Sequence, residues 1–163
     1  GKKYYDRDGN VVIKNFCDKD WTAIKRLRAI GIPVLFITGD PYNEMILSNR
    51  NLPTIVNRGE GFHRDKINFL PQALEEYNCT ADEVVYFGDD LFDYKIMEGV
   101  GYAYCVNDSP RSLQDISVPL HCNGGENAIM YLFEELEDRE LIPTVPAGDV
   151  MDKIYELDLK EKF

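Results

Sequence analysis

Histidine is nearly absent from this chain, with two in 163 residues. Cysteine is sparse too, at positions 17, 79, 105 and 122, with no CxxC pair and no histidine at ligand spacing. That shortage excludes a zinc centre of the usual kind. The thiols read as reduced, structural groups of a cytoplasmic protein. No run of about 18 apolar residues occurs, and no stretch reads as a signal sequence, so neither a membrane span nor export is expected. Positive charge is in deficit, with 18 Lys and Arg against 29 Asp and Glu and a formal charge of −11. Nothing here supplies a broad basic face for a nucleic-acid backbone. The same field repels a phosphorylated substrate at long range, so an anion site must be made locally from a lysine, a cation or helix-end amides. An initiating methionine is also missing; the chain opens on Gly1, as a processed or partial chain would.

What is present is ordinary globular material, 44% hydrophobic and 29% charged, of a length that favours one domain with a three-layer core. KKYYD and VVIKNF flank Asp8-Gly9-Asn10 as the arms of a hairpin. A helix capped by Asp18 or Asp20 runs through Ala29, with Trp21, Ile24, Leu27 and Ile30 on its apolar face. Pro33–Ile37 reads as a buried strand closed by Thr38-Gly39, followed by a short helix over 43–49 and a strand at 54–56. Helical periodicity returns over 65–77, where Pro71 must sit near the first turn. A strand at 84–87, a short helix at 93–98, a strand at 102–106 and a helix at 126–136 complete the alternation. This order predicts an α/β fold, a Rossmann-like three-layer α/β/α sandwich on a mostly parallel sheet. The domain spans 1–142, residues 1–16 forming a flap. PTVPAG reads as a linker within 143–163, ahead of a polar helix or tail that packs on a neighbour or stays mobile.

Ligands of an open parallel sheet collect beyond the carboxyl ends of its strands. Three loops share that edge: Thr38-Gly39 after VLFI, Lys66 after NRGEGFHRD, and Asp89, Asp90 and Asp93 after VVYF. Three crowded aspartates repel one another, and a hard divalent cation resolves that conflict, magnesium rather than zinc. Thr38 offers a hydroxyl and neighbouring amides to a phosphoryl oxygen, and Lys66 a point charge to the same group. Acceptor, cation and acid loop together describe a phosphoryl-transfer site. Singly, each residue also has a structural reading, as helix cap, turn or surface lysine.

Those motifs resemble the haloacid dehalogenase superfamily of aspartate-nucleophile phosphatases. VLFITG is similar to its second motif, Lys66 to its third and GDDLFD to its fourth. From Gly1 to about Leu136 the likeness is to the capless branch acting on 3-deoxy-octulosonate 8-phosphate and on nonulosonate 9-phosphates. It is carried by the flap sequence, GDDLFDYKIMEGVGYAYCVNDS and NGGENA. The resemblance implies a phosphoaspartate mechanism with Mg2+ bound by Asp89 and supported by Asp90. Asp93 would orient Lys66 or the metal shell, while Thr38 and Lys66 hold the phosphoryl group beside Gly39. It further implies a homotetramer in which neighbouring subunits help to close the site around a sugar-acid phosphate.

The family pattern begins with an apolar strand ending in DxDGxxxDG, whose last glycine matches Gly1. The nucleophile is therefore expected upstream of the chain given. A rival alignment makes Asp6-Arg7-Asp8-Gly9 the motif, although the preceding GKKYY is too polar for a central strand. A noncatalytic scaffold of the same fold, attached to a sugar-nucleotide synthetase, is the alternative function. At the variable position of NGGENA, Glu126 would repel a substrate carboxylate but hydrogen-bond an amine or hydroxyls. Asp20 is expected either to point into the site or to cap a helix, and Trp21 to lie in the core or to wall the pocket.

Overall fold

The computed structural model describes residues 2–162, so the family glycine matched to Gly1 lies outside the described residues. The two arms at the start form strands β1 (Lys3–Tyr5) and β2 (Val11–Lys14), paired antiparallel with Lys3 opposite Lys14. Asp6 closes their turn by accepting hydrogen bonds from the amides of Asp8 (2.9 Å) and Asn10 (2.8 Å). Gly9 supplies the left-handed residue at φ +85°. Asp6 and Asp8 are thus turn residues at an exposed tip, and the rival nucleophile assignment fails for that reason.

Helix α1 (Asp18–Ala29) follows and ends before Gly31. Strand β3 (Phe36–Thr38) begins later than the expected Pro33, which has no amide hydrogen for a ladder. Helix α2 (Pro41–Asn49) starts two residues early because Asp40 caps it, accepting from the Tyr42 amide, with Pro41 in the first turn. Strand β4 (Thr54–Val56) pairs parallel with β3. A 3-10 turn at Lys66–Phe69 leads into α3 (Leu70–Tyr77), with Pro71 in its first turn. Then come β5 (Val85–Gly88), a 3-10 turn at Leu91–Asp93, α4 (Tyr94–Glu98), β6 (Tyr102–Val106), α5 (Arg111–Gln114), β7 (Val118–Leu120), α6 (Ala128–Asp138) and α7 (Ala147–Asp158). Strand β7 was not expected from the sequence because Pro119 interrupts it. As an end strand of its sheet it tolerates the missing donor.

Side chains alternate along β6 and so define the layers. Tyr104 and Val106 pack with Ala23 and Leu27 of α1 and Leu132 and Phe133 of α6. Cys105 turns the other way, to Met97 of α4 and Leu113 of α5. The fold is the expected α/β sandwich. Its parallel sheet, however, comes in two pieces, β3-β4 and β5-β6-β7, with no pairing between β3 and β5 among the described residues. Helix α1 ties the pieces together on one face, with Ile24 against Val34 and Phe36 and Leu27 in the cluster of Val85 and Phe87.

The C-terminal segment forms a helix that packs on its own chain. Val150, Ile154 and Leu157 of α7 are buried. Lys25 pairs with Asp158 and with Glu161 (3.2 Å), and Arg50 with Glu161 (2.7 Å).

Candidate functional site at the split edge of the sheet

The turn that follows β5 is organised around Asp93, which is 2% exposed. Its Oδ1 accepts from Lys66 Nζ (2.5 Å) and from the Tyr86 hydroxyl (2.7 Å). Its Oδ2 accepts from the amides of Asp89 and Asp90, both at 3.2 Å. Four donors therefore converge on one carboxylate, which fixes both the lysine and the loop backbone. Gly88 is required by this packing, since a Cβ there would lie 2.6 Å from the Asp93 Cβ. Burial, and then the Asp93 charge, push the Tyr86 phenol well above its usual range, so it stays a donor.

Asp89 and Asp90 differ from Asp93 in keeping exposed surface. The Asp90 carboxylate caps the 3-10 turn by accepting from the Leu91 amide at 2.6 Å. Among the described residues the Asp89 carboxylate has no such partner. Desolvation by the surrounding protein, and then repulsion from Asp93, raise its carboxyl above the ordinary range, with Lys66 opposing. Among the described residues no cluster of three His, Cys, Asp or Glu side chains forms a metal shell.

Thr38 ends β3 and is buried. Its Oγ1 accepts from the Asp40 amide (3.2 Å) and from Asn43 Nδ2 (3.0 Å). Gly39 is needed for close approach, because a Cβ there would come within 2.7 Å of His63 Nε2. The His63 ring in turn meets Phe92 edge-on at 5.3 Å. The 57–64 loop thus bridges the Thr38-Gly39 turn to the acid loop, and the Lys66–Asp93 pair ties the segment that follows this loop to the same acid loop. Asn57, 2% exposed, donates to the Arg64 carbonyl at 2.9 Å, while its Oδ1 is buried beside Gly39 with no partner among the described residues.

Asp20 and Glu126 both lie at the start of α6. Asp20 Oδ1 accepts from the amides of Ile129 (2.9 Å) and Met130 (3.2 Å), so it caps α6 rather than its own helix. Burial raises its pKa against the pull of those amides. Glu126 is exposed in the preceding loop. Burial, and then the charges of Asp20, Glu126 and Asp108, push the Cys122 thiol up to about 11. Trp21 is half-buried, stacked on Phe16 at 5.5 Å and under Arg50 at 4.1 Å.

The sequence reading missed the anchoring of the hairpin. Lys14 contacts both Asp40 and Asn43 Oδ1, and Lys3 pairs with Asp40 at 2.7 Å. The signal was present in the facing of Lys3 and Lys14 across the hairpin, which put two cations on one face. Burial opposes ionisation of Asp40, but the two ammonium groups outweigh it and lower its pKa. The stability this carboxylate contributes is present above its unfolded pKa of about 4 and is lost as pH falls through the lower folded value. NMR amide spectra should therefore keep the hairpin docked at pH 4 and release it on further acidification, before α6 melts. In D40N the hairpin should already be loose at neutral pH; an equally docked hairpin there would remove Asp40 as its anchor.

The fold is of the haloacid dehalogenase-like kind, and residues 62–130 match the model of the haloacid dehalogenase-like hydrolase family. The chain is 30% identical over 119 residues to the 3-deoxy-D-manno-octulosonate 8-phosphate phosphatase KdsC of Yersinia pestis, a match covering 72% of this chain and 62% of that protein. It is 28% identical over 148 residues to the Haemophilus influenzae KdsC, covering 85% and 73% of the two chains. The chain thus spans less than two thirds of the length of the Yersinia relative. Its fold superimposes with a TM-score of 0.71 on the Moraxella catarrhalis 3-deoxy-D-manno-octulosonate 8-phosphate phosphatase. That protein, solved with a magnesium ion, a phosphate ion and KDO, is 22% identical, and the match covers 85% of this chain and 78% of that one.

Proposed function

We propose that the complete protein hydrolyses a sugar-acid phosphate monoester of the octulosonate 8-phosphate or nonulosonate 9-phosphate type, in a magnesium-dependent reaction. The observation that carries this reading is the joining of three loops at one sheet edge: Lys66 held by Asp93, Thr38-Gly39 against His63, and His63 against Phe92. The likeness to the octulosonate 8-phosphate phosphatases supports the substrate class.

In this reading the nucleophilic aspartate comes from a strand upstream of the chain given, lying between β3 and β5. Two strand edges left unpaired among the described residues, where the family pattern puts its motif strand, support that placement, and they speak against a scaffold whose sheet closes without it. An aspartate oxygen attacks phosphorus, the bond to the sugar oxygen breaks, and water then cleaves the phosphoaspartate. The Thr38 hydroxyl and the Lys66 ammonium hold the phosphoryl oxygens, and Asp93 keeps Lys66 aimed.

The donor set fits magnesium. Asp89 is a carboxylate with a raised pKa, and Mg2+ takes one or two carboxylates with waters and substrate phosphate rather than an all-protein cage. Bound there with Asp90 at its periphery, the ion would supply charge neutralisation between phosphate and nucleophile. A cytoplasmic homotetramer closing the site is part of the proposal. Exposed Tyr5, Val12 and Ile13 on the hairpin support a partner there.

Calorimetry on the complete protein should give magnesium binding that D89N abolishes, and unchanged binding in D89N would place the ion elsewhere. Phosphate release should be found with eight- or nine-carbon sugar-acid phosphates; none across that panel would end the enzyme reading.

A further inference from the structure

The Thr38 hydroxyl is oriented from outside its own loop. Lys14, on the second strand of the hairpin, directs its ammonium at the side-chain oxygen of Asn43 and at Asp40. A lysine ammonium has three donors and no acceptor. The Asn43 amide must therefore present its oxygen to Lys14 and its nitrogen to the opposite side. That nitrogen lies 3.0 Å from Thr38 Oγ1, and the Asp40 amide donates to the same oxygen at 3.2 Å. A hydroxyl has two lone pairs and one proton. With two donors aimed at its oxygen, Thr38 keeps only its proton to offer, and that proton has no acceptor among the described residues.

We propose that Lys14 and Asn43 are positioning residues that hold the Thr38 hydroxyl as a donor to a phosphoryl oxygen. This rests on the reading of Thr38 as a phosphoryl ligand given above. A non-bridging oxygen of a phosphate monoester accepts hydrogen bonds and cannot donate them, so a hydroxyl fixed as donor matches it. Lys14 shares the Asp40 carboxylate with Lys3, and its part in the proposal is to orient the Asn43 amide. Docking of the hairpin and readiness of the phosphoryl site are thereby one structural event.

The test uses the complete protein and steady-state kinetics on a sugar-acid phosphate. In N43D the introduced carboxylate accepts only, so it draws the Thr38 proton inward. It still pairs with Lys14, which favours a folded variant; thermal melting checks this. The expected loss in kcat/KM is about 10- to 100-fold, the range of one hydrogen bond to a charged group. Relative to wild type the loss should shrink as pH falls and the introduced carboxyl regains a donor proton. N43D should add no further loss in a T38V background. K14R, still a pure donor, should keep wild-type kcat/KM, whereas K14Q, whose amide can present either atom, should lose part of it. An N43D enzyme with wild-type kcat/KM at every pH, or one whose loss is undiminished in T38V, would overturn the relay. A T38V enzyme with unchanged kcat/KM would instead remove Thr38 from the phosphoryl site, a failure of the underlying reading.

Discussion

D93A is expected to lower the free energy of unfolding by about 3–5 kcal/mol, the range for removing one partner of a buried ion pair. Asp93 lies between the halves of the split sheet. It belongs to the turn after β5, and the lysine it binds belongs to the segment following β4. Without its carboxylate, the Lys66 ammonium, the Tyr86 hydroxyl and two loop amides lose their acceptor together. The isosteric D93N does not rescue the site. One amide oxygen can still serve Lys66 and Tyr86, but the NH2 group would then face two backbone donors, leaving them unsatisfied at about 1–3 kcal/mol each. Urea unfolding with D93A, K66M and the double variant separates the charge effect from packing. The double variant should be less damaged than the sum of the two singles, because it leaves no buried ammonium unpaired. A D93A protein within about 1 kcal/mol of wild type would mean that water replaces the carboxylate at this turn, far from the usual result for so buried an ion pair.

Legibility from the sequence followed how local the cause was. The hairpin, α1, Pro71 in the first turn of α3, and strand β6 at 102–106 each rest on a few adjacent residues, and all are found. The layers were readable because apolar period separates strand from helix. Strand β7 was not, since VPL carries a proline and only its end position in the sheet makes that acceptable. At the site, the order Thr38, Lys66, GDDLFD named loops that the fold brings into contact with one another, but how each carboxylate is used depends on neighbours distant in sequence. Asp93 is satisfied by Lys66, 27 residues away, and Asp20 by amides 109 and 110 residues away. Asn43 looked like any helix residue; only the meeting of Lys14 with its amide oxygen reveals what it does. No local pattern encodes such contacts.

The largest functional effect should come from filling the gap between β3 and β5. In a parallel ladder alternate residues send both backbone groups to the same neighbour. Phe36 donates to the Pro53 carbonyl and Thr38 accepts from Asn57, so Ile37 presents its N–H and C=O away from β4. Val84 accepts from Tyr102, which leaves Val85 and Phe87 facing away from β6 in the same manner. Two edges whose donors and acceptors have no partner among the described residues thus bound one strand position, and the half-buried state of Phe36, Ile37, Tyr86 and Phe87 contrasts with fully buried Cys105 on the doubly paired β6. An occupant must be apolar on both faces, like any central parallel strand. Residues 1–163 alone are expected to release no phosphate above background. A chain prolonged upstream through an apolar strand ending in aspartate should turn over, and changing that aspartate to asparagine should reduce kcat by several orders of magnitude, as loss of a nucleophile does. Hydrogen exchange supplies a second readout: the Ile37, Val85 and Phe87 amides should exchange fast in the short chain and slowly in the long one. Cross-strand NMR contacts between Ile37 and Val85 in the short chain would show the two edges zipped directly together. That result would leave no place for the strand, and with it no place for the nucleophile beside Thr38 and Lys66.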